Sequence, residues 1–437
     1  MTNIDPALIG ILGLITFLFL VMIRVPIGIG MGCIGFLGIA VLNGTKSALN
    51  ALYTLPYSTM SSWLFAVIPM FILMGTIAFY AGFTRDGYNC VYKWLGRFPG
   101  GLAIATLVGA AGFGACSGSS IAATAALGRL SLPEMDRFGY DKRLAAGVVG
   151  MGGTLSALIP PSILLVLYGA ITEQSVGKLL IAGILPGILS LFFFAMIVFV
   201  WALFKPEHAP KGEIFSWKEK IVSLKYASGI LVLFISVTGG IYSGIFTPSE
   251  AGAVGAVIIL LMALVMRRLT WSVFNETVVE TLKTVSSIFL IVLGAYIFIQ
   301  FMALTRLPVV FGEWILALHI HKSIIIMGVI LMYLIMGCFL DALGLILLTV
   351  PFISPAIFAL GYSPIWFGVL VVKLVEIGLL TPPVGIQAYV LKGVAPDLTL
   401  KTIFLGFIPF FVADIFLVIG LMVVFPQIVT YLPNLMK

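Results

Sequence analysis

The chain has 437 residues, of which 61% are hydrophobic and 9% charged, with a formal net charge of +7. Soluble domains run near 45–50% apolar and about 25% charged, so a mean hydropathy of +1.20 leaves too little charge to coat a water-facing surface. A soluble enzyme, a nucleic-acid binder and a disordered chain are excluded.

Length is better counted in membrane spans, and at about 20 residues per crossing the apolar runs fit roughly ten. The N-terminus carries Asp5 and no basic stretch. The apolar run behind it ends at Arg24 without a small-residue cleavage site, so it reads as an uncleaved first helix rather than a signal peptide. Spanning helices are predicted over 6–23, 26–43, 63–82, 143–173, 178–204, 227–245, 248–266, 285–304, 363–393 and 400–425. The stretches 100–130 and 322–355 are too interrupted for simple spans and are expected as re-entrant hairpins. Segments 45–60 and 270–284 mix polar and apolar residues at helical spacing, the pattern of helices lying along the interface. The run Glu134-Met135-Asp136 reads as a solvated turn between Pro133 and Arg137. Cys33, Cys90, Cys116 and Cys338 form no CxxC pair and read as small buried residues. His208, His319 and His321 lie near predicted loops, and His-x-His alone is a weak metal signal.

The basic residues orient the spans. With the N-terminus outside and both interrupted stretches re-entrant, 18 of the 24 Lys and Arg fall on one face, among them Arg85, Arg129, Arg137, Arg143, Lys211 and Lys283. The basic excess is therefore a topology signal, and both termini are expected in the periplasm. If 100–130 instead spanned, Arg129, Arg137, Lys142 and Arg143 would move outside.

The two halves match at a spacing of 222 residues. Pro26 and Gly30 become Pro248 and Gly252, Cys116 becomes Cys338, Gly139-Tyr140 becomes Gly361-Tyr362, and Pro160-Pro161 becomes Pro382-Pro383. After one inserted residue, Lys178, Gly183 and Pro186 become Lys401, Gly406 and Pro409. Five spans and one hairpin per half put the second half in from the opposite side, a plan common in secondary transporters. The expected architecture is an all-α integral membrane protein of two inverted repeats. Residues 1–205 form the first, with its hairpin at about 100–130. A cytoplasmic linker covers 206–227. Residues 228–437 form the second, with its hairpin at about 322–355.

Four segments break the helical pattern at membrane depth: GAAGFGACSGSSIAATAALG (109–128), GCFLDALGLILLTVP (337–351), GMGGTLSALIPPS (150–162) and EIGLLTPPVGIQ (376–387). A Pro-Pro pair removes two backbone donors, and freed carbonyls cannot face lipid. Unwound carbonyls with Ser, Thr and Asp oxygens suit sodium, and half-helix N-termini suit a carboxylate. Repeat symmetry sets Ser117, Ser119 and Ser120 opposite Gly152, Gly153, Thr154 and Ser156. It sets Gly337 and Asp341 opposite Gly378 and Thr381. Two cation sites are expected, one per repeat; the alternative is that the small residues serve close helix packing. A carboxylate such as Asp341 in an apolar run needs a partner or a ligand. Lys373 and Glu376, three apart, are expected to neutralise each other, the alternative being a role for Glu376 beside the second site. Asp414 is a packing or proton group. Gln387 and Tyr389 are placed to meet substrate. No HExxH or Walker A is present and no GxGxxG opens a βαβ unit, so no enzyme is indicated, nor an ATP-driven pump unless a separate chain supplies the ATPase, and an ion gradient is the expected energy source.

The GACSGSSIAATAALG hairpin and the GGTLSALIPPS and LLTPPVGIQ breaks resemble the large, DctM-like membrane subunit of TRAP (tripartite ATP-independent periplasmic) transporters, across essentially the whole chain. The resemblance implies an elevator-type carrier in the bacterial inner membrane. It implies a smaller four-helix membrane subunit as partner, here expected as a separate polypeptide, and a periplasmic binding protein that delivers an organic acid. Carried over residue by residue, the first sodium site would use Ser117, Ser119, Ser120, Gly153 and Ser156. The second would use Gly337, Asp341, Gly378 and Thr381. Ser119, Thr154, Asp341 and Gln387 are the expected substrate contacts. Sialic acid is the first expected substrate and a C4-dicarboxylate the second. A stand-alone sodium- or proton-coupled carboxylate carrier or antiporter is the alternative.

Overall fold

A computed structural model describes residues 5–318 and 320–436. The ends of the two expected repeats, 1–4 and 437, and His319 lie outside the described residues. The first half contains α1 (Pro6–Met22), α2 (Ile27–Asn43), α3 (Thr45–Met60), α4 (Val67–Tyr80), α5 (Phe83–Leu95), α6 (Gly101–Ser117), α7 (Ser120–Arg137), α8 (Lys142–Leu155), α9 (Ile163–Thr172), α10 (Val176–Ala182) and α11 (Ile184–Phe204). The second contains α12 (Trp217–Phe234), α13 (Gly240–Tyr242), α14 (Pro248–Val265), α15 (Trp271–Thr305), α16 (Leu307–Ala317), α17 (Lys322–Gly337), α18 (Ala342–Ala359), α19 (Pro364–Gly378), α20 (Ile386–Val394), α21 (Leu400–Ala413), α22 (Gly420–Val424) and α23 (Gln427–Leu435). The bounds of α7 and α18 differ by 222 residues at both ends, and α2, α6, α8 and α9 recur within a residue or two as α14, α17, α19 and α20.

Among the described residues, seven helical stretches are long and apolar enough to cross a membrane, from Trp63–Tyr80 to Leu400–Val424. Six of the ten expected spans are among them, the seventh stretch being Ala342–Ala359 of the second hairpin, and α1 and α2 are shorter at 17 residues each. The expected spans 143–173 and 363–393 are each two half-helices, interrupted at the Pro-Pro pairs. The interrupted stretches are helical hairpins. Ser117 ends α6, Gly118 turns with φ +60°, and Ser119 caps α7 by accepting from the Ala122 N–H. Only glycine fits this turn: its φ is left-handed, and a Cβ would lie 2.5 Å from the Pro161 carbonyl oxygen.

Other expectations are corrected. Segment 270–284 is not a separate interfacial helix but the first part of the 35-residue α15. In the first half Pro56 lies within α3 and Pro69 within α4, with a short 3-10 turn between the two helices. Their counterparts are Val278 and Ile291, which let the helix run on. Glu134-Met135-Asp136 is helical within α7, and Met135 is fully buried. Cys33 is exposed, while the other three cysteines are buried. Helix α12 starts inside the expected linker, because Ser216 and Glu219 form a capping box ahead of it.

Apolar side chains gather in two clusters. One joins α2, α4 and α15 with the second hairpin and α19. The other joins the first hairpin with α8, α11, α20 and α21. The long α15 packs along α2, α3 and α4 and touches α18.

Candidate functional site

The tips of the two hairpins open on one cavity. The residues that cap their second helices, Ser119 and Asp341, stand 222 apart and line one cavity of about 390 Å³. A short polar side chain accepts the free N–H groups of a first turn, which is why both positions favour Ser or Asp. One Asp341 carboxylate oxygen accepts from the Leu343 and Gly344 N–H groups at 3.2 and 3.3 Å. The other is buried and has no hydrogen-bond partner among the described residues. An orphaned carboxylate oxygen beside two helix N-termini is the kind of donor a hard cation takes.

Glu376 forms the floor of this cavity and is fully buried. It accepts from the Ser120 hydroxyl at 3.0 Å and from the Gln387 amide at 3.2 Å. Gln387 in turn accepts from the Thr124 hydroxyl at 3.2 Å. This chain of side chains ties the first hairpin to α19 and α20. Gly153 leaves room for it, since a Cβ there would sit 2.0 Å from the Thr124 hydroxyl oxygen.

The predicted site residues thus divide. Ser119, Ser120 and Asp341 line the cavity, and Gln387 touches it through Glu376. Gly337 and Gly378 make a backbone crossing of α17 and α19; a Cβ on Gly378 would lie 2.6 Å from the Gly337 Cα. The remaining hydroxyls are turned to nearby backbone. Ser117 accepts from the Ser119 N–H at 3.5 Å, and Ser156 donates to the Ala110 carbonyl at 3.1 Å. Thr154 and Thr381 donate to the carbonyls of Met151 and Ile377, one helical turn before them.

Lys373 and Glu376 do not pair as expected. The Lys373 ammonium lies 2.7 Å from Asp414 and donates to the Ser190 hydroxyl at 2.8 Å, with both charged groups fully buried. Three residues apart on one helix, the two side chains diverge: Lys373 reaches toward α11 and α21, Glu376 toward α7. The residues that sequence reasoning missed come from α15, where Glu280, Lys283, Thr284 and Ser287 form the opposite cavity wall. Their spacing of three and four residues is a one-sided polar stripe on a helix, a pattern that an interfacial helix shows equally well. Among the described residues no group of three or more His, Cys, Asp or Glu could hold a metal ion.

A sequence model of the family "Tripartite ATP-independent periplasmic transporter, DctM component" matches residues 14–428. The chain is 32% identical over 435 residues, 95% of its length and 93% of the relative's, to a C4-dicarboxylate TRAP transporter large permease protein of Vibrio cholerae. It is 34% identical to the Pseudomonas aeruginosa protein of that description, covering 90% of each. It is 33% identical to the sialic acid TRAP transporter large permease protein of Vibrio cholerae, over 84% of this chain and 86% of that one. In fold it is similar to the YdaH transporter of Alcanivorax borkumensis, with a TM-score of 0.58 at 13% identity, covering 98% of this chain and all of that one.

Proposed function

The chain belongs to the DctM component family of tripartite ATP-independent periplasmic transporters, and on that basis we propose that it drives sodium-coupled uptake of an organic acid. The observation that carries this reading is the cavity between the hairpin tips, where the caps of α7 and α18 converge and one Asp341 oxygen lacks a partner. Sodium is a co-substrate in this scheme. Its proposed holders are Asp341 with Gly337, Gly378 and Thr381 on one side, and Ser117, Ser119, Ser120, Gly153 and Ser156 on the other. Two partially positive helix N-termini and the Lys283 ammonium then favour a carboxylate in the same cavity. Bound sodium offsets part of the cost of burying that carboxylate.

The proposed partners are a small four-helix membrane subunit and a periplasmic binding protein, and both termini are proposed to be periplasmic. Relatives at 32–34% identity are described as C4-dicarboxylate, sialic acid and isethionate transporters, so the substrate class proposed is an organic-acid anion, with a carboxylate first. Transport proceeds by an elevator motion in which both hairpins and both broken helices slide against α1 to α4 and α12 to α15. The packing of α6 on α4 and α12, of α9 on α4 and of α18 on α15 is what such a slide must break.

Reconstitution with the small subunit and binding protein tests this. A sodium gradient is expected to drive uptake of succinate or N-acetylneuraminate, and sodium is expected to raise the unfolding temperature over potassium at matched ionic strength, because a ligand of the folded state stabilises it. Uptake that runs equally well in potassium would sink the coupling, and uptake without a partner would favour a stand-alone carrier.

A further inference from the structure

The first hairpin is open along one side. On α7, Ile121, Ala125, Arg129 and Pro133 follow at four-residue spacing, which stacks them on one helix face. Ile121, Arg129 and Pro133 are exposed and Ala125 is half-buried. The stripe begins in the hairpin-tip cavity, where Ile121 is part of the lining. It ends in a second cavity of about 370 Å³, whose walls include Arg85, Tyr88, Asn89, Arg129 and Pro133. Ala125, the smallest side chain of the stripe, lies between the two cavities on this face. Across from it stands α15. Glu280 of α15 and Ile121 of α7 line the first cavity together.

Arg137 in the second cavity is already engaged, at 3.6 Å from Glu134 and 3.5 Å from Glu213. Arg129 has no carboxylate within 4.0 Å among the described residues. An unpaired guanidinium midway along a helix of a membrane protein faces water or an anion, not lipid.

We propose that this face of α7 is the release lane for the transported anion, with Arg129 as the cation that draws the anion from the hairpin tips toward the basic face. The inference rests on the anion-carrier reading above. Arg129 is a positioning residue on the route and has no part in the sodium site. A fixed charge in a cleft with low-dielectric walls concentrates counter-ions, by roughly tenfold or more.

The test is thiol labelling of Ala125→Cys in a Cys33→Ser background, in inside-out membrane vesicles holding the large and small subunits together. The probes are the anionic sulfonatoethyl and the cationic trimethylammonioethyl methanethiosulfonates. Ala125→Cys is expected to react from the basic face, with the anionic probe favoured by about tenfold relative to free thiol, a steering-sized effect. Arg129→Gln is expected to abolish that preference and Arg129→Lys to keep most of it. Leu347→Cys, the corresponding position in α18, is expected to be protected. An Ala125→Cys variant that does not react, or a preference unchanged by Arg129→Gln, overturns the lane. Labelling needs no transported substrate. Succinate and N-acetylneuraminate uptake measured in parallel therefore separates the two readings: a charge-selective lane without uptake of either acid sinks the proposed substrate class alone, and uptake without a selective lane sinks this inference alone.

Discussion

The two hairpins are copies of one plan and sit in different surroundings. Helix α7 packs on α6, α8 and α20, and its Ile121–Arg129 face is open. Helix α18 packs on α9, α15, α16 and α19. The positions corresponding to Ile121, Ala125 and Arg129 are Leu343, Leu347 and Pro351, and Leu347 is 1% exposed. The copy with alanine and arginine faces a cleft, and the copy with leucine and proline faces packed helices. Both hairpins line the cavity between the tips, and beyond it the α7 face is exposed where the α18 face is covered. Two copies of one plan thereby differ in how far one helix face is covered.

The paired caps of the two hairpins carry the largest expected effect. Asp341→Ala is expected to abolish sodium-dependent uptake and the sodium-specific rise in unfolding temperature while the protein still reaches the membrane. Wild-type uptake would mean that the orphaned oxygen binds nothing.

The next effect is on stability, at a place where the halves differ in charge. The counterparts of Lys373 and Asp414 are Met151 and Leu191. Lys373→Met alone strands the Asp414 carboxylate and is expected to cost about 3–5 kcal/mol, as breaking one side of a buried pair does. Adding Asp414→Leu copies the first half and should recover most of the loss. A double variant as unstable as the single one in thermal unfolding would show that the pair does more than neutralise itself.

Exchanging the hairpin faces comes third. Leu347→Ala gives α18 the residue of α7, empties space among packed helices and is expected to cost about 2–4 kcal/mol in unfolding. Ala125→Leu, the reverse exchange on the open face, should stay within about 0.5 kcal/mol. Equal losses would mean that the α7 cleft closes in the membrane.

The smallest effect is Ser119→Ala. Losing the cap of α7 is expected to cost about 1 kcal/mol and to weaken sodium binding by less than tenfold, read from the sodium dependence of unfolding. A loss as complete as that of Asp341→Ala would make the two caps equivalent.

Much of this was legible in the sequence because it is written in local chemistry. The hairpins were marked by Gly and Ser runs too small to pack against lipid, and the broken helices by Pro160-Pro161 and Pro382-Pro383. Ser119 and Asp341 stand out as polar oxygens in the broken segments, and the structure shows them as the caps of α7 and α18. Glu376 was harder to place. It has a lysine one helical turn away, so the nearest charge looked like its partner, whereas the bonds it accepts come from Ser120 and Gln387. The polar stripe of α15 was visible as a stripe, but its 280–287 face is turned toward the cavity.

Hydropathy, proline and short polar side chains act within one or two turns, so the class of molecule, the repeat, the helix breaks and their polar oxygens are readable along the chain. Which carboxylate pairs with which lysine, which face of α7 stays open and which scaffold helix walls the cavity are matters of tertiary packing. Those contacts join residues as far as 263 apart, as Thr124 and Gln387 are. At such distances the partner is chosen by how the two halves dock, and no spacing along the chain carries that information.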